Sequence, residues 1–327
     1  MATPSPMAQV LKLRPSSVSA RLARTELCLL NPRDLHRALP GRALLVCECV
    51  AGPIAAGVFR AAKQANAVVG VSFPDLPRGE RPRPNDAVDE ILEAAQAAGF
   101  TGPWFLRGGP VRVAEASEAS AAAARNTVYR MVDAGFTEAC LDVTGLDPAE
   151  AAAVVAEGAM GLRERELSVE VATRETRPNE LQELALSFGA QGVKVDLVTL
   201  PASALKGVAD LSAVVEALRP AGLGLVDAGD KAPVLGTRRL AVSTRLTRIA
   251  LNVLPAAVES TLRQKATEGW SIPGAIAAAL KAAPPAPEVR QRMEETAFRE
   301  TLDLLERTGC AGTGPTAVHA LVEQMKD

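Results

Sequence analysis

The stretch ALLVCECVAGPIAAGVFRAAKQANAVVGVSF, residues 43–73, decides the fold of this chain because it contains one complete strand–helix–strand unit. Residues 43–50 and 68–73 are short apolar runs that favour strands, and the alanine-rich residues 53–66 between them favour a helix. Strands that alternate with helices in this way are typical of a parallel sheet with helices on its faces.

The alternation continues along the chain until it has produced eight such units. Strands are predicted at 43–50, 68–73, 103–107, 138–144, 167–172, 192–198, 223–228 and 248–253. Helices are predicted at 53–66, 85–99, 115–135, 147–164, 178–189, 201–219, around 233–242 and at 255–267. Eight units within the ~250 residues typical of such folds predict an α/β protein with a single (β/α)8 TIM barrel. A doubly wound open sheet is the alternative, although no Gly-x-Gly-x-x-Gly follows any strand.

The 327 residues divide into three predicted parts. Residues 1–25 are expected to be a flexible N-terminal segment, 26–282 the barrel, and 283–327 a C-terminal helical arm that starts at the proline-rich APPAP. Residues 287–309 form an amphipathic helix whose apolar side either joins two copies in a homodimer or packs on its own barrel.

Composition excludes several classes of function. The net charge is −2, aromatic residues are 3% and there is one tyrosine, so neither a basic stripe nor a set of base-stacking side chains predicts nucleic-acid binding. No apolar run is long enough to cross a bilayer, and the N-terminus lacks the apolar core of a signal peptide. The five cysteines are scattered, which indicates a reducing compartment, and the expected location is the cytoplasm.

Polar residues recur near the ends of the predicted strands, where barrels carry their chemistry. Lys194 and Asp196 are two residues apart in the predicted sixth strand and therefore share one face, which the barrel interior would have to accommodate. These groups are either a site or a structural network of internal ion pairs. The candidates for catalysis are Lys194, Asp196, Glu170 and Asp142, and those for ligand binding are Glu48, Arg107, Asp227, Gly229 and Asn252.

The order of several segments resembles that of the class II fructose-bisphosphate aldolases, and more loosely the non-catalytic subunits of tagatose-bisphosphate aldolase. The resemblance runs from about residue 30 to about 312. It rests on ECVAGPIAAGVFRAAKQANAVVGVSF (48–73), GFTEACLDVTGLD (135–147), SFGAQGVKV (187–195), RIALNVLPAAVEST (248–261) and the helix at 287–309. It implies a barrel, a dimer and a sugar phosphate or other phosphorylated small molecule as ligand.

The family holds a zinc ion with three histidines, and this sequence departs from that pattern. Gly109 and Pro110 stand where the family has its first histidine and catalytic aspartate, Gln191 where it has the second histidine, and Asp227 near the third. The chain has only two histidines, so a three-histidine site within one subunit is impossible. No metal and no cofactor is therefore expected.

The phosphate site that the resemblance implies is also reduced. Gly229 and the start of the helix at Pro255 remain, but Val253 replaces the family's threonine. Asp142 and Asn252 match polar residues of the family.

Three functions follow from these observations. The first is an aldolase-like protein without catalysis, in a structural, regulatory or partner-binding role. The second is a metal-independent lyase in which Lys194 forms an imine with a sugar phosphate and Asp196 or Glu170 moves protons. The third is a zinc aldolase that takes ligands from another chain.

Overall fold

The computed structural model describes residues 5–74, 83–208, 210–227, 236–254 and 258–326, and within them eight parallel strands close into a barrel. Each barrel strand pairs with the next along the chain, and the last pairs with the first. A two-residue strand, β1 (Cys28–Leu29), pairs with the start of the third barrel strand. The barrel strands are β2 (Leu44–Glu48), β3 (Val69–Phe73), β4 (Pro103–Arg112), β5 (Glu138–Asp142), β6 (Ser168–Ala172), β7 (Leu197–Pro201), β8 (Leu223–Val226) and β9 (Thr237–Val242). The predicted TIM barrel is confirmed, and the open-sheet alternative is wrong.

Helices surround the barrel and cover its N-terminal end. None in the described part of the chain is both long and apolar enough to cross a membrane. The helices are α1 (Pro6–Val10), α2 (Ser16–Leu22), α3 (Pro32–Ala38), α4 (Gly52–Gln64), α5 (Pro84–Ala97), α6 (Glu118–Ala134), α7 (Pro148–Gly158), α8 (Met160–Glu164), α9 (Pro178–Ala190), α10 (Leu211–Ala217), α11 (Thr244–Leu251), α12 (Glu259–Thr267), α13 (Ile272–Ala282), α14 (Pro287–Arg307) and α15 (Thr313–Gln324). Short 3₁₀ turns lie at Leu11–Leu13 and Ala202–Leu205.

Successive residues of a strand face opposite sides of the barrel wall, and two cores result. On β2, Leu45 and Cys47 belong to the large core between the strands and the outer helices. Leu44 and Val46 belong to a second core inside the barrel, together with Phe105 of β4. Gly70 makes room for that ring, because a side chain there would lie 2.3 Å from Phe105.

The N-terminal end of the barrel is closed by elements from both ends of the chain. Helix α15 packs against α1 and α3, and Val10, Leu35 and Leu321 are buried in the inner core there. The prediction that residues 1–25 form a flexible segment is therefore wrong for residues 5–25, which contain two helices with buried Val10 and Leu22.

Two predicted strands have different positions in the structure. The eighth strand is β9 at 237–242, where a helix was expected, and residues 248–251 of the predicted strand lie in α11. The sixth strand, β7, begins at Leu197, so most of the predicted strand 192–198 precedes it. The five cysteines are all buried and unpaired.

The amphipathic helix at 287–309 packs on its own barrel, which was one of the two expected arrangements. Met293, Ala297, Thr301 and Leu305 of α14 are buried, and the helix lies along α4. A homodimer remains a prediction.

Gly57 of α4 provides a test of this contact. A side chain at Gly57 would lie 2.3 Å from the carbonyl oxygen of Glu294 and 2.7 Å from Cβ of Ala297, so the two helix backbones meet there. We expect Gly57→Ala to lower the free energy of unfolding in urea by about 1–3 kcal/mol because α14 must move.

The matched control is Gly189→Ala on α9, where a new Cβ meets nothing within 4 Å. This change should leave stability unchanged or raise it by up to about 1 kcal/mol. Equal stability of the two variants would contradict the close α4–α14 contact.

Candidate functional site

A cleft opens at the C-terminal ends of the barrel strands, the end where TIM barrels carry their sites. Its volume is about 480 Å³, within the range of ~300–1,000 Å³ that small-molecule pockets have. Among the described residues, every barrel strand except β7 contributes side chains to the cleft, either from the strand itself or from the residues just after it. The turn before α13 also lines the cleft. The described lining residues are Glu48, Ser72, Pro74, Arg107, Pro110, Arg112, Asp142, Ala172, Val226, Asp227, Ala241, Val242, Ser243, Gly269, Trp270, Ser271 and Pro273.

Three polar residues of the inner wall occupy one rung of the sheet. Glu48 lies opposite Ser72 in the β2–β3 ladder, and Ser72 lies opposite Arg107 in the β3–β4 ladder. Their exposed fractions are 8%, 2% and 4%, so each is almost enclosed and yet borders the cleft. A carboxylate, a hydroxyl and a guanidinium therefore lie side by side, with neighbouring strands ~4.8 Å apart.

Glu48 also has a partner across the cleft wall. Ser243, just after β9, donates a hydrogen bond from Oγ to Oε1 of Glu48 over 2.6 Å. Burial raises the pKa of Glu48, and this hydrogen bond and the charge of Arg107 oppose the increase.

Beneath the cleft, two arginines and two glutamates form a buried network. Arg107 donates two hydrogen bonds to Glu170, from Nε to Oε2 over 2.6 Å and from Nη2 to Oε1 over 2.8 Å. Nη1 of Arg239 bridges Oε2 of Glu138 at 2.5 Å and Oε2 of Glu170 at 2.9 Å. All four residues are at most 4% exposed, so both arginines have carboxyl partners inside the barrel.

The other contacts of Arg239 extend the network to the N-terminal side. Its guanidinium lies over the ring of Phe105, 4.9 Å from the centroid. Its Nη2 lies 3.1 Å from Nε2 of His36, which accepts if the ring is neutral. Burial, followed by the charges of Arg239 and Arg238, lowers the pKa of His36 well below its usual value and favours that neutral form.

The two buried glutamates differ in charge state because they share the arginines unequally. For Glu170, burial acts to raise the pKa, but the charge of Arg107, its hydrogen bonds and the charge of Arg239 outweigh it and lower the pKa to about 2. For Glu138, burial dominates over Arg239 and raises the pKa to about 7. Its Oε1 has no hydrogen-bond partner among the described residues, which is consistent with weaker support for its charge.

Asp227 caps the helix that follows the barrel. Its Oδ1 accepts from the backbone N–H groups of Ser243 at 2.9 Å and Thr244 at 3.1 Å, and its Oδ2 accepts from the hydroxyl of Thr244 at 2.6 Å. These N–H groups lie at the start of α11, and the N-terminus of a helix attracts an anion. The chain's own carboxylate therefore occupies this position.

The cleft brings together four of the residues that the sequence singled out. These are Glu48, Arg107, Asp142 and Asp227, while Glu170 lies beneath them as the partner of Arg107. One oxygen of Asp142 accepts from the backbone N–H of Thr144 at 3.0 Å. Gly229 lies outside the described residues.

Three other candidates lie elsewhere, because the strands have shifted from their predicted positions. Lys194 precedes β7 and is exposed, so the prediction that it points into the barrel is wrong. Asp196 lies at the N-terminal side of β7, where Arg33 of α3 binds its two oxygens at 2.7 and 2.8 Å. Asn252 is exposed at the end of α11 and not at a strand tip.

Several residues of the site were missed by sequence reasoning. Arg239 was missed because its strand was predicted as a helix. Glu138 was missed because it begins its strand, whereas candidates were chosen at the strand ends. Ser72 and Ser243 lacked a charge. The segment TRRLAV, residues 237–242, has three polar residues followed by three apolar ones, so it carried no alternating pattern that could have indicated a strand at Arg239.

The cleft residues do not fit a three-histidine zinc site. Gly109, at φ 92°, has no room for a ligand side chain, because Cβ there would lie 2.7 Å from the carbonyl oxygen of Cys140. His36 and His319 belong to α3 and α15, which cover the opposite end of the barrel. Gln191 follows the last residue of α9 and is exposed before β7, and it is not among the described residues that line the cleft. In the described part of the chain, no three or more His, Cys, Asp or Glu side chains are grouped to hold a metal.

Solved structures with the same fold carry aldolase names. The YdjI aldolase from Escherichia coli K12 is 16% identical with a TM-score of 0.61, over 88% of this chain and 99% of that one. A putative fructose-1,6-biphosphate aldolase from Coccidioides immitis is 15% identical with a TM-score of 0.56, over 87% and 96% of the two chains. Fructose-bisphosphate aldolase from Campylobacter jejuni is 14% identical with a TM-score of 0.58, over 87% and 97%. No protein-family model and no curated protein sequence matches the chain. These similarities establish a shared barrel fold.

The protonation of Glu138 predicts a pH effect on stability. Because its pKa is about 7 in the folded chain, against an ordinary 4.5, the folded state holds this proton more tightly than the unfolded state does. Its contribution is therefore present below pH 4.5 and is lost as the pH rises towards 7, by at most about 1.4 kcal/mol per pH unit.

Glu138→Gln removes this titration, whereas Glu170 and His36 remain in both proteins. The stability of the native chain relative to Glu138→Gln should therefore fall across this pH window in urea unfolding and level off above it. A difference that stays constant from pH 4.5 to 7 would contradict the assignment.

The cap on α11 predicts different effects for two substitutions of Asp227. Asp227→Ala removes three hydrogen bonds and places alanine at φ 51°, so we expect a loss of about 2 kcal/mol or more in the free energy of unfolding. Asp227→Asn retains an acceptor and tolerates a positive φ, so its loss should be a few tenths to about 1 kcal/mol. Equal unfolding midpoints for the two variants would refute the cap.

Proposed function

We propose that this chain is a class II aldolase-like protein that does not catalyse aldol cleavage and instead uses its barrel mouth to bind, in a regulatory or partner-binding role. The observation that carries the proposal is the position of the two histidines. They belong to helices at the N-terminal end of the barrel, whereas the cleft opens at the C-terminal end.

Retro-aldol cleavage requires an electron sink at the ketose carbonyl and a base near the hydroxyl that loses its proton. The family that the sequence resembles has the base and the first of its three zinc ligands at the strand end where this chain has Gly109 and Pro110. Neither residue has a side chain that binds metal or moves a proton, and the backbone around Gly109 leaves no space for one.

Three of the charged residues at the cleft are held by another side chain or by the backbone. Arg107 is held by Glu170, Glu48 by Ser243, and Asp227 by the start of α11. Side chains fixed in this way suit recognition of a ligand, because little rotamer entropy is lost on binding.

The alternative of a metal-independent lyase through Lys194 receives no support from the geometry. An imine-forming lysine needs a pocket that excludes water and lowers its pKa. Lys194 is exposed, precedes β7 and is absent from the described lining of the cleft.

The test is a coupled assay for triose phosphate release from fructose 1,6-bisphosphate. We expect background rates for the purified chain with added zinc and also with chelator, while an authentic zinc aldolase serves as the positive control. Metal analysis should find far less than one zinc per chain.

Two outcomes would overturn the proposal. Activity that chelator abolishes would mean that a metal site forms, with ligands from a second chain. Activity that resists chelator, is trapped by borohydride and is lost in Lys194→Ala would establish the imine mechanism.

A further inference from the structure

We propose that the cleft binds an uncharged polyhydroxyl compound through the rung of Glu48, Ser72 and Arg107. This inference rests on the proposed function, in which the mouth is a binding site. It differs from the phosphorylated ligand that the sequence resemblance implies.

The first observation is a set of hydrogen-bonding groups that are buried, border the cleft and are not used by the protein. Ser72 is 2% exposed, and its hydroxyl has no partner among the described residues. Arg107 is 4% exposed and binds Glu170 through Nε and Nη2, which leaves Nη1 without a partner in the same part of the chain. Because enclosed polar groups are usually hydrogen-bonded, these are positions for a ligand or water.

The second observation is that these groups differ in type. Nη1 of Arg107 only donates, the carboxylate of Glu48 accepts when ionised, and the hydroxyl of Ser72 does both. Oε2 of Glu48 is open, since its hydrogen bond from Ser243 uses Oε1. A ligand hydroxyl also donates and accepts, so a row of hydroxyls satisfies all three groups. A phosphate dianion only accepts, and an ammonium group only donates.

The third observation is the charge of the cleft, which opposes a phosphorylated ligand. The described lining holds the carboxylates Glu48, Asp142 and Asp227 and the guanidiniums Arg107 and Arg112. Among these described groups Arg107 is already paired with Glu170, which leaves Arg112 to balance three carboxylates. Asp227 also occupies the first N–H groups of α11, which a phosphate would otherwise use.

The remaining walls suit the carbon skeleton of such a compound. Ala172, Val226, Ala241 and Val242 are apolar, and Trp270 borders the opening. Lys265 lies 3.7 Å from the centre of the Trp270 ring. Polyols present C–H groups between their hydroxyls, which can pack on apolar walls of this kind.

The experiment is calorimetric titration with a panel of defined probes. It comprises the four- to six-carbon alditols and aldoses, the phosphate ester of each compound that binds, and spermidine as a cation. We expect saturable binding of at least one neutral member, with its phosphate ester bound at least about tenfold more weakly. Direct titration avoids the general stabilisation that polyols give to folded proteins through exclusion from the surface.

The diagnostic variant is Ser72→Ala, which removes a hydroxyl that stabilises nothing in the protein itself. It should leave the unfolding midpoint unchanged and weaken binding about tenfold, the effect of one lost hydrogen bond of about 1.4 kcal/mol. The matched control is Ser17→Ala on α2, whose hydroxyl is also buried and lacks a partner among the described residues but is remote from the cleft lining. Ser17→Ala should bind as the native chain does.

Each contrary result has a definite meaning. No saturable binding by any neutral compound overturns the inference, as does tighter binding of a phosphate ester or binding of spermidine alone. Unchanged affinity in Ser72→Ala overturns the assignment of the rung. The cleavage assay is read separately: aldolase activity would refute the proposed function, whereas absent activity without polyol binding would refute only this inference.

Discussion

The guanidinium of Arg239 lies in the centre of the barrel, and the arrangement of its interior depends on the need to neutralise that charge. An unpaired charge at this depth would cost several kcal/mol, so Glu138 and Glu170 must come from the strands across the barrel to meet it. Glu170 is then fixed where it also binds Arg107, and Arg107 lies on the same rung as Ser72. The ion pairs thus join the closed N-terminal part of the barrel to the open mouth.

The same network explains why sequence reasoning succeeded with the fold and failed with particular strands. The barrel follows from eight alternating units, a pattern that tolerates errors of several residues in each element. The prediction of which side chains face the barrel interior does not tolerate such errors, because a shift of one residue along a strand moves a side chain to the other face. TRRLAV, residues 237–242, looked unlike a buried strand because it contains two arginines. Arg239 can be buried in this strand because carboxylates of other strands pair with it. Those partners are distant in sequence, so the segment 237–242 by itself gives no sign of them.

The prediction of a strand at the apolar run RIALNV, residues 248–253, was wrong for the complementary reason. Its residues Ile249 and Ala250 are buried, but they belong to a helix that packs against α13 and α14. Periodicity does not separate a short buried helix from a buried strand, since both present continuous apolar side chains. Similarly, Lys194 and Asp196 were placed inside a strand that starts at Leu197. Asp196 proved to be a largely buried partner of Arg33. In contrast, Glu48, Arg107, Asp142 and Asp227 lie in or directly after strands that were predicted at nearly the right place, and they meet at the cleft.

Asp227 connects the stability of the fold to the proposed selectivity of the mouth. The start of α11 offers backbone N–H groups towards the cleft, and such groups attract an anion whatever its source. In this chain the anion is covalently part of the protein, so it is present at a high effective concentration and a free phosphate must displace it. Displacement would leave Asp227 beside a second negative charge and without its three hydrogen bonds. One aspartate after β8 therefore completes a helix, and the proposed preference of the barrel mouth for uncharged ligands rests on the same contacts.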